Sequence, residues 1–276
     1  GISYELPVAS AQVKSAIMLA GMLAQGVTTI HEPIPTRDHT EKMFEDFQIA
    51  YNKVNRMITV QGPQMPITPG EVFVPGDISS AAFFIVAALM VPDSDVTIEN
   101  VGINETRSGI IDVIRAMNGK ITLVNERYFG GEPVADLHIQ YTKDLVATTI
   151  EGDMIPRLID EIPILALLAT RAKGITVIKD AEELKVKETN RIDVTVNQLK
   201  AIGAEIKSTD DGMIITGQPE GSFNQASVSS HKDHRIAMML CVASLLIDEP
   251  LIIEDVESME ISYPDFLKHL NVLLGN

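Results

Sequence analysis

Basic residues stand at the starts of several predicted helices, where the helix dipole disfavours them. In the stretch LKVKETNRID (residues 184–193), Lys187 and Arg191 lie where an apolar helical pattern is about to begin. The partial positive charge of a helix N-terminus favours Asp and Glu, so cations at this place need a negative partner. The pattern predicts either pairing with nearby acids or a site where helix N–H groups, Lys and Arg together bind phosphate or carboxylate.

The same placement recurs at other predicted helix starts. Arg37 lies in TRDHTE, Arg107 in NETRSG, and Lys232 and Arg235 in HKDHRIAM. A local rule that is broken in several equivalent places is typical of a functional site. For Arg107 we favour pairing with its neighbour Glu105. For KVKETNR and HKDHR, the density of cations favours binding of a multiply anionic small molecule.

Two acidic residues near these cations are candidates for acid–base chemistry. Asp160 opens the apolar helix DEIPILALLA, which has Pro163 in its first turn. From the residues alone, an N-cap is the favoured interpretation of Asp160. Glu188 lies between Lys187 and Arg191, where it is either a neutralising partner or an acid or base tuned by the two cations.

The sequence gives little support to metal, thiol or nucleotide chemistry. His231 and His234 are three residues apart without a third ligand close in sequence, which argues against a metal site. The single cysteine, Cys241, falls inside an apolar helical pattern and is expected to be a buried core residue rather than a nucleophile. The glycine-rich nucleotide motifs GxGxxG and GxxxxGK[ST] are absent from the sequence.

The composition is that of a globular protein with an acidic surface. The net charge of −16 argues against nonspecific binding to nucleic acid or to an anionic membrane. The longest apolar runs, at residues 162–169 and 236–247, are shorter than the roughly 20 residues that span a bilayer. One cysteine rules out an internal disulfide, and the first residues do not resemble a signal peptide. We therefore expect a cytoplasmic protein.

A repeated pattern organises the elements that must position these residues. Four segments share an apolar helix, a short turn and a β-branched strand: SAIMLAGMLAQGVTTIHEP, SAAFFIVAALMVPDSDVTIEN, IPILALLATRAKGITVIKD and IAMMLCVASLLIDEPLIIED. A second, amphipathic helix follows each strand, and in two units an alternating strand comes next. The pattern predicts an α/β fold of βαβαββ units, with apolar helices packed at the centre and sheets outside. VFVPGD (residues 72–77) is the predicted linker, which divides the chain into domains 1–74 and 75–276.

Six stretches together resemble the enolpyruvyl transferases, and among them the 5-enolpyruvylshikimate-3-phosphate synthases. They are PVASAQVKSA, PTRDHTEKM, VPGDISSAAFF, DEIPILA, LKVKETNRI and HKDHRIAM, and they extend over nearly the whole chain. SAQVKSA and RDHTE are most similar to the branch that contains glyphosate-tolerant enzymes. The resemblance implies two domains of three βαβαββ units, joined by a hinge. Domain 75–276 would be complete, and domain 1–74 would be the last unit of a first domain whose N-terminal part is missing, so that the chain alone is not expected to turn over.

The resemblance also implies a reaction. The family transfers the enolpyruvyl group of phosphoenolpyruvate to the 5-hydroxyl of shikimate 3-phosphate and releases phosphate through a tetrahedral intermediate. It needs no metal or organic cofactor. The implied partners are therefore the two small substrates and the missing N-terminal part of the same enzyme, with no nucleic acid and no membrane.

Residue roles follow from the same resemblance. Asp160 matches the carboxylate that deprotonates the attacking hydroxyl, Glu188 the acid that transfers a proton at the enol methylene, and Lys187 the cation between the substrates. The matches for the two substrate sites are Arg191, His234 and Arg235 for phosphoenolpyruvate, and Ser10, Gln12 and Arg37 for the shikimate phosphate. Two positions depart from the family: Ile261 stands where members often have lysine, and Glu183 where some have asparagine.

Two other functions remain open from the sequence. The related transferase that acts on UDP-N-acetylglucosamine has the same fold but typically uses a loop cysteine, whereas Cys241 lies in a helical pattern. A scaffold that binds anions without turnover is the second alternative, above all for a chain that lacks part of the enzyme.

Overall fold

The computed structural model describes residues 1–275 as a mixed α/β protein with two separate buried apolar clusters. One cluster lies within residues 6–60 and the other within residues 78–270. This agrees with the predicted fold class. Among the helices of residues 1–275, none combines the length and the apolar character that crossing a bilayer requires.

The first part contains one βαβαββ unit in the predicted order. Its elements are β1 (Ser3–Glu5), α1 (Ala11–Leu23), β2 (Gly26–His31), α2 (His39–Asp46), β3 (Tyr51–Val54) and β4 (Met57–Gly62). The sheet has the order β1-β2-β4-β3, and only the β1–β2 pair is parallel. Helix α1 packs on β2 and β4 through Met18 and Met22, whereas its Leu19 and Leu23 are exposed.

An irregular segment follows β4 and leads into the second part. Val72, Phe73 and Val74 in this segment are exposed, and the Phe73 ring lies 5.7 Å from that of Phe129. The next helix begins after Asp77, whose carboxylate accepts the amides at the first turn. The predicted linker therefore lies in irregular structure, and the domain boundary near residue 74 stays a prediction.

The second part contains three further units. Its elements are α3 (Ile78–Met90), β5 (Asp95–Gly102), α4 (Gly109–Ala116), β6 (Lys120–Phe129), β7 (Glu132–Gln140), β8 (Thr149–Ile150), α5 (Ile155–Leu158), α6 (Ile162–Ala169), β9 (Ile175–Ile178), α7 (Arg191–Ala201), β10 (Glu205–Ser208), β11 (Met213–Thr216), β12 (Ser227–Ser229), α8 (His234–Ser244), β13 (Ile252–Glu254) and α9 (Phe266–Leu273). They form three sheets with the orders β5-β7-β6, β10-β11-β9-β8 and β12-β13.

Three apolar helices form the centre of this part, as the sequence predicts. Helices α3, α6 and α8 pack against one another, and every residue of α6 is buried. The sheets and amphipathic helices surround them, so that the polar N-terminal ends of α6 and α8 come close together beside the start of α7. This arrangement places the predicted site residues.

The six-element unit is complete only in the first and third repeats of residues 1–275. In the second repeat, the first strand is reduced to a single bridge between Gly76 and Val101. Pro75 precedes this bridge and has no N–H to donate to a strand ladder, which accounts for the lost strand. In the fourth repeat, α9 ends at Leu273 and no closing pair of strands follows within the described residues.

Candidate active site

One cavity of about 410 Å³ lies between the two parts of the molecule. Its size is ordinary for a small-molecule site, for which roughly 300–1,000 Å³ is typical. Its walls come from the start of α1, the loop before α2, the turn before α6, the segment before α7 and the start of α8. All nine predicted site residues line it: Ser10, Gln12, Arg37, Asp160, Lys187, Glu188, Arg191, His234 and Arg235.

Asp160 is the carboxylate on which three guanidinium groups converge. Its oxygens lie 2.9 Å from Arg37, 3.4 Å from Arg191 and 3.8 Å from Arg235. Burial alone would raise the pKa of Asp160, but the charges of Arg235 and Arg37 and the hydrogen bond from Arg37 hold that pKa well below its usual range. Asp160 is therefore ionised in the free protein.

The structure does not support the N-cap interpretation of Asp160. Asp160 lies in the middle of a short 3-10 turn, Ile159–Glu161, and the residue at the N-cap of α6 is Glu161, without a side-chain capping bond. The carboxylate of Asp160 is instead held by arginines of distant segments. The first turn of α6 is stabilised by Pro163, which needs no N–H partner there.

Arg191 is the first residue of α7 and is completely buried among acids. Its Nε donates to Asp233 at 2.8 Å, and its other nitrogens contact Glu188 and Asp160. The side chain of Asp233 is also fully buried. Burial would raise the pKa of Asp233, but the hydrogen bond and charge of Arg191 lower it. The cation at this helix start is thus balanced by three carboxylates, of which the sequence indicated only Glu188.

One more charged pair completes this wall of the cavity. Lys187 pairs with Glu183, one helical turn before it, and both side chains are partly exposed. Glu188 has a half-exposed carboxylate. The departure at position 183 therefore places an acid, not an amide, beside the cavity, where it neutralises Lys187.

The start of α8 contributes a neutral ring and a cation. Asp233 caps the helix by accepting the amide of Arg235 at 2.9 Å. The side chain of Arg235 reaches back to the carbonyl oxygen of Asp160 at 3.4 Å. Burial and then the charge of Arg235 lower the pKa of His234, so the ring is neutral at pH 7.

The first part supplies the opposite wall. Ser10 caps α1 by accepting the amide of Val13 at 3.3 Å, and Gln12 is exposed on the first turn. Arg37 extends from the loop before α2 to Asp160, so that its ion pair joins the two parts of the molecule. Thr36, which the sequence did not single out, also lines the cavity.

Other sequence predictions fall outside this cavity. Arg107 pairs with an acid as expected, but the acid is Asp77 at 2.6 Å and not Glu105. Ile261 is exposed and does not line the cavity. Cys241 is buried in α8, and burial raises the pKa of its thiol to about 11, as expected for a core residue. Within residues 1–275, His, Cys, Asp and Glu form no group of three suited to a metal ion, and the ring of His231 lies against Gln198.

Comparison with known proteins gives consistent matches along the chain. The family model described as EPSP synthase (3-phosphoshikimate 1-carboxyvinyltransferase) matches residues 1–270. A 3-phosphoshikimate 1-carboxyvinyltransferase of Bacillus subtilis is 53% identical over 273 residues, and one of Staphylococcus epidermidis is 52% identical over 274. Both matches cover 99% of this chain and 63% of the relative, so this chain spans less than two thirds of the length of these relatives.

Two solved structures also match over most of the chain. An EPSP synthase structure from Acinetobacter baumannii superposes with a TM-score of 0.91 at 42% identity, covering 99% of this chain and 62% of that one. The enolpyruvyl transferase NikO from Streptomyces tendae gives a TM-score of 0.76 at 19% identity, covering 92% of this chain and 57% of that one. At that identity, the likeness to NikO concerns the fold alone.

Proposed function

The chain belongs to the EPSP synthase (3-phosphoshikimate 1-carboxyvinyltransferase) family, and from this premise we propose that its cavity transfers the enolpyruvyl group of phosphoenolpyruvate to the 5-hydroxyl of shikimate 3-phosphate. The observation that supports the proposal is the convergence of all nine predicted site residues on one cavity. A cytoplasmic location is part of the same proposal and rests on the single cysteine, which excludes an internal disulfide.

The cations of the cavity suit two anionic substrates. Each substrate carries a phosphate and a carboxylate, and guanidinium groups bind both in bidentate geometry. We assign phosphoenolpyruvate to Arg191 and Arg235, with His234 beside them. We assign the phosphate of shikimate 3-phosphate to Arg37, Ser10 and Gln12, which come from the other part of the molecule. Each substrate thus meets a different wall.

The acids of the cavity suit the two proton transfers of the reaction. Asp160 takes the proton of the 5-hydroxyl while the hydroxyl oxygen bonds to C2 of phosphoenolpyruvate. At the same time, Glu188 delivers a proton to C3. The tetrahedral intermediate then returns a proton from C3 to Glu188 while its C2–O bond to phosphate breaks, which restores the double bond. Phosphate leaves with the proton that Asp160 had taken. Lys187 neutralises negative charge as the intermediate forms.

The basicity of Asp160 depends, in this scheme, on the presence of substrate. In the free protein, Arg235 and Arg37 keep its pKa low, and such a carboxylate is a weak base. Substrate phosphate and carboxylate groups would share these guanidiniums and weaken their pull on Asp160. Its pKa would then rise towards the ordinary range at the moment when the hydroxyl arrives.

Phosphate release from phosphoenolpyruvate plus shikimate 3-phosphate tests the proposal. It is measured on this chain alone, and on this chain joined to the part of the Bacillus subtilis relative that it does not span. We expect release from the joined protein, and release that is slower by about 10²–10⁴-fold from its Asp160→Asn variant. A joined protein that folds but neither binds shikimate 3-phosphate nor releases phosphate would overturn the proposal.

The same assay separates the sister activity. UDP-N-acetylglucosamine replaces shikimate 3-phosphate as the acceptor, with all else unchanged. No release is expected, because the chain belongs to the EPSP synthase family and the one cysteine within it is buried in α8 with a raised thiol pKa. Release with this acceptor alone would favour the sister reaction instead.

A further inference from the structure

A buried cluster of charges lies next to Arg37 and takes no part in the proposed chemistry. Lys14, in the first turns of α1, has a fully buried side chain. Its Nζ lies 2.8 Å from Glu41 Oε1 and 3.3 Å from Glu32 Oε1. Lys53 lies 3.0 Å from the same Glu41 oxygen and is about one third exposed. The four charges sum to zero, as burial of ions requires.

Three contacts connect this cluster to Thr36, the residue directly before Arg37. Glu32 Oε1 accepts the amide of Thr36 at 3.1 Å and its hydroxyl at 2.6 Å. Lys14 Nζ donates to the carbonyl oxygen of Thr36 at 3.4 Å. The N–H, side chain and C=O of one loop residue are thus all held by buried charged groups, so the backbone from which Arg37 extends is fixed.

The cluster also ties together the two segments that carry the site residues of the first part. Lys14 lies four residues after Ser10, and Glu41 lies four residues after Arg37. Their ion pair therefore joins the start of α1 to the start of α2. A hydroxyl contact between Ser15 and Thr40 at 2.5 Å lies next to the pair.

We propose that Lys14, Glu32 and Glu41 are positioning residues that hold the Thr36–Arg37 backbone and, through it, the Arg37 guanidinium at the cavity. Stability alone does not account for the arrangement, because apolar side chains of similar volume often stabilise a core as well as buried ions do. Apolar side chains have no groups that hold the Thr36 amide and carbonyl in one geometry. The positioning of the loop is a property of this chain and does not depend on the proposed function. Only the identity of the ligand that Arg37 binds rests on that function.

Hydrogen exchange of the backbone amides of Ile34, Thr36, Arg37 and Asp38 tests the positioning directly. Lys14→Met and Lys53→Met remove the same charge from the same cluster, but only Lys14 is fully buried and contacts Thr36. We expect exchange in this loop to accelerate about tenfold or more in Lys14→Met, because the charged contact to the Thr36 carbonyl is lost, and less than about twofold in Lys53→Met. Equal exchange in the two variants would overturn the proposal.

Two further variants distinguish loss of loop positioning from loss of folding, in case Lys14→Met does not fold. The double variant Lys14→Met/Glu41→Gln leaves one cation and one anion, so its buried charge is again balanced and its stability should return. Loop exchange should nevertheless stay fast, because Thr36 has lost its lysine donor. Thr36→Val, which removes only the hydroxyl, should give a smaller acceleration. Wild-type exchange in the folded double variant would show a purely structural cluster and overturn the proposal.

Binding of shikimate 3-phosphate, measured by titration calorimetry on the joined protein, tests whether the positioned loop matters for ligand binding. We expect the double variant to bind about tenfold more weakly than the protein with Lys53→Met, because a site displaced by about 1 Å loses much of its affinity. Fast loop exchange in a protein whose wild type does not bind this ligand would leave the positioning intact and overturn the proposed function. Unchanged affinity despite fast exchange would overturn the link between loop and ligand.

Discussion

The buried cluster of Lys14, Glu32 and Glu41 and the adjacent cavity wall are both built from opposed charges, but they differ in what is left free. In the cluster, side chains are at most 4% exposed and every charge faces an opposite one within the protein. In the wall, three arginines share the single carboxylate of Asp160. Arg191 is buried, whereas Arg37 and Arg235 keep 15–17% of their side-chain surface exposed. Full burial forces the protein to balance its own charges, whereas partial exposure leaves cations that a ligand can bind.

Replacing Asp160 in the cavity wall should have the largest effect on activity and a small one on stability. In the joined protein, Asp160→Asn should lower turnover by about 10²–10⁴-fold, the usual contribution of a general base. Its melting temperature should stay close to that of the wild type, because the side chain is partly exposed and caps no helix. A large drop in melting temperature with activity retained would contradict the role of Asp160 as a base.

Stability should respond most where the cavity wall reaches full burial. Asp233 and Arg191 are both buried, so Asp233→Asn leaves a cation without its buried partner and should cost about 3–5 kcal/mol in urea denaturation. Because the pKa of Asp233 is lowered, its contribution is present above about pH 4, the unfolded value, and is lost as pH falls through the folded pKa.

Lys187→Met is the matched control for that measurement. Its partner Glu183 is 42% exposed and Lys187 itself 24%, so the pair should contribute less than about 1 kcal/mol. Equal costs for Asp233→Asn and Lys187→Met would mean that burial does not decide which charges of the wall are structural.

The sequence predicts the helices and strands that position the site better than it predicts the charge pairs within the site. Apolar helices followed by β-branched strands reveal the repeat because burial leaves a direct mark on residue type. The nine site residues come from their resemblance to a family, and folding brings them to one cavity. The pairing of two charged side chains is not visible in the residue types. Arg191 and Asp233 are 42 residues apart in the sequence, and no local pattern relates them.

Two predictions from the sequence are wrong for the same reason. The sequence predicts that Arg107 pairs with the nearest acid in the chain, but the fold brings Asp77 to it from the start of α3. Helix starts favour acids and therefore predict a cap at Asp160, but its carboxylate pairs with arginines from three other segments. Lys14 carries a signal that the sequence prediction does not use, since a lysine within an apolar helix needs a buried anion.

The two arginines of the wall should separate the two substrates. Arg235→Ala should weaken the binding of phosphoenolpyruvate about 10–100-fold, which corresponds to the 1.5–3 kcal/mol of a charged hydrogen bond. The affinity for shikimate 3-phosphate should fall less than about threefold in the same variant. Arg37→Ala, on the opposite side of the cavity, should give the reverse order. Titration of each ligand into the joined protein measures this, and equal weakening of both ligands by Arg235→Ala would contradict the assignment.

Glu161 differs from both the Lys14 cluster and the cavity wall, because it is buried without forming an ion pair. Its two carboxyl oxygens have no hydrogen-bond partner among the described residues in ordinary geometry, and the groups that act on its pKa are Ser79, Asp160, Arg235 and Arg37. Burial raises the pKa of Glu161, Ser79 opposes the shift, the charge of Asp160 adds to it, and the charges of Arg235 and Arg37 oppose it. A carboxyl group in this setting binds its proton more tightly in the folded than in the unfolded chain.

The smallest effect should therefore be a change in how stability depends on pH. A raised folded pKa gives a contribution that is present below the unfolded value, about 4.3, and is lost as pH rises through the folded pKa. Glu161→Gln cannot ionise, so its free energy of unfolding should gain on that of the wild type as pH increases from 4 to 8 in parallel urea titrations. Glu205→Gln, at an exposed position of β10, is the control for the substitution itself. A Glu161→Gln protein that loses stability relative to the wild type at pH 8 would mean that this carboxylate is charged and held by a cation after all, as in the Lys14 cluster.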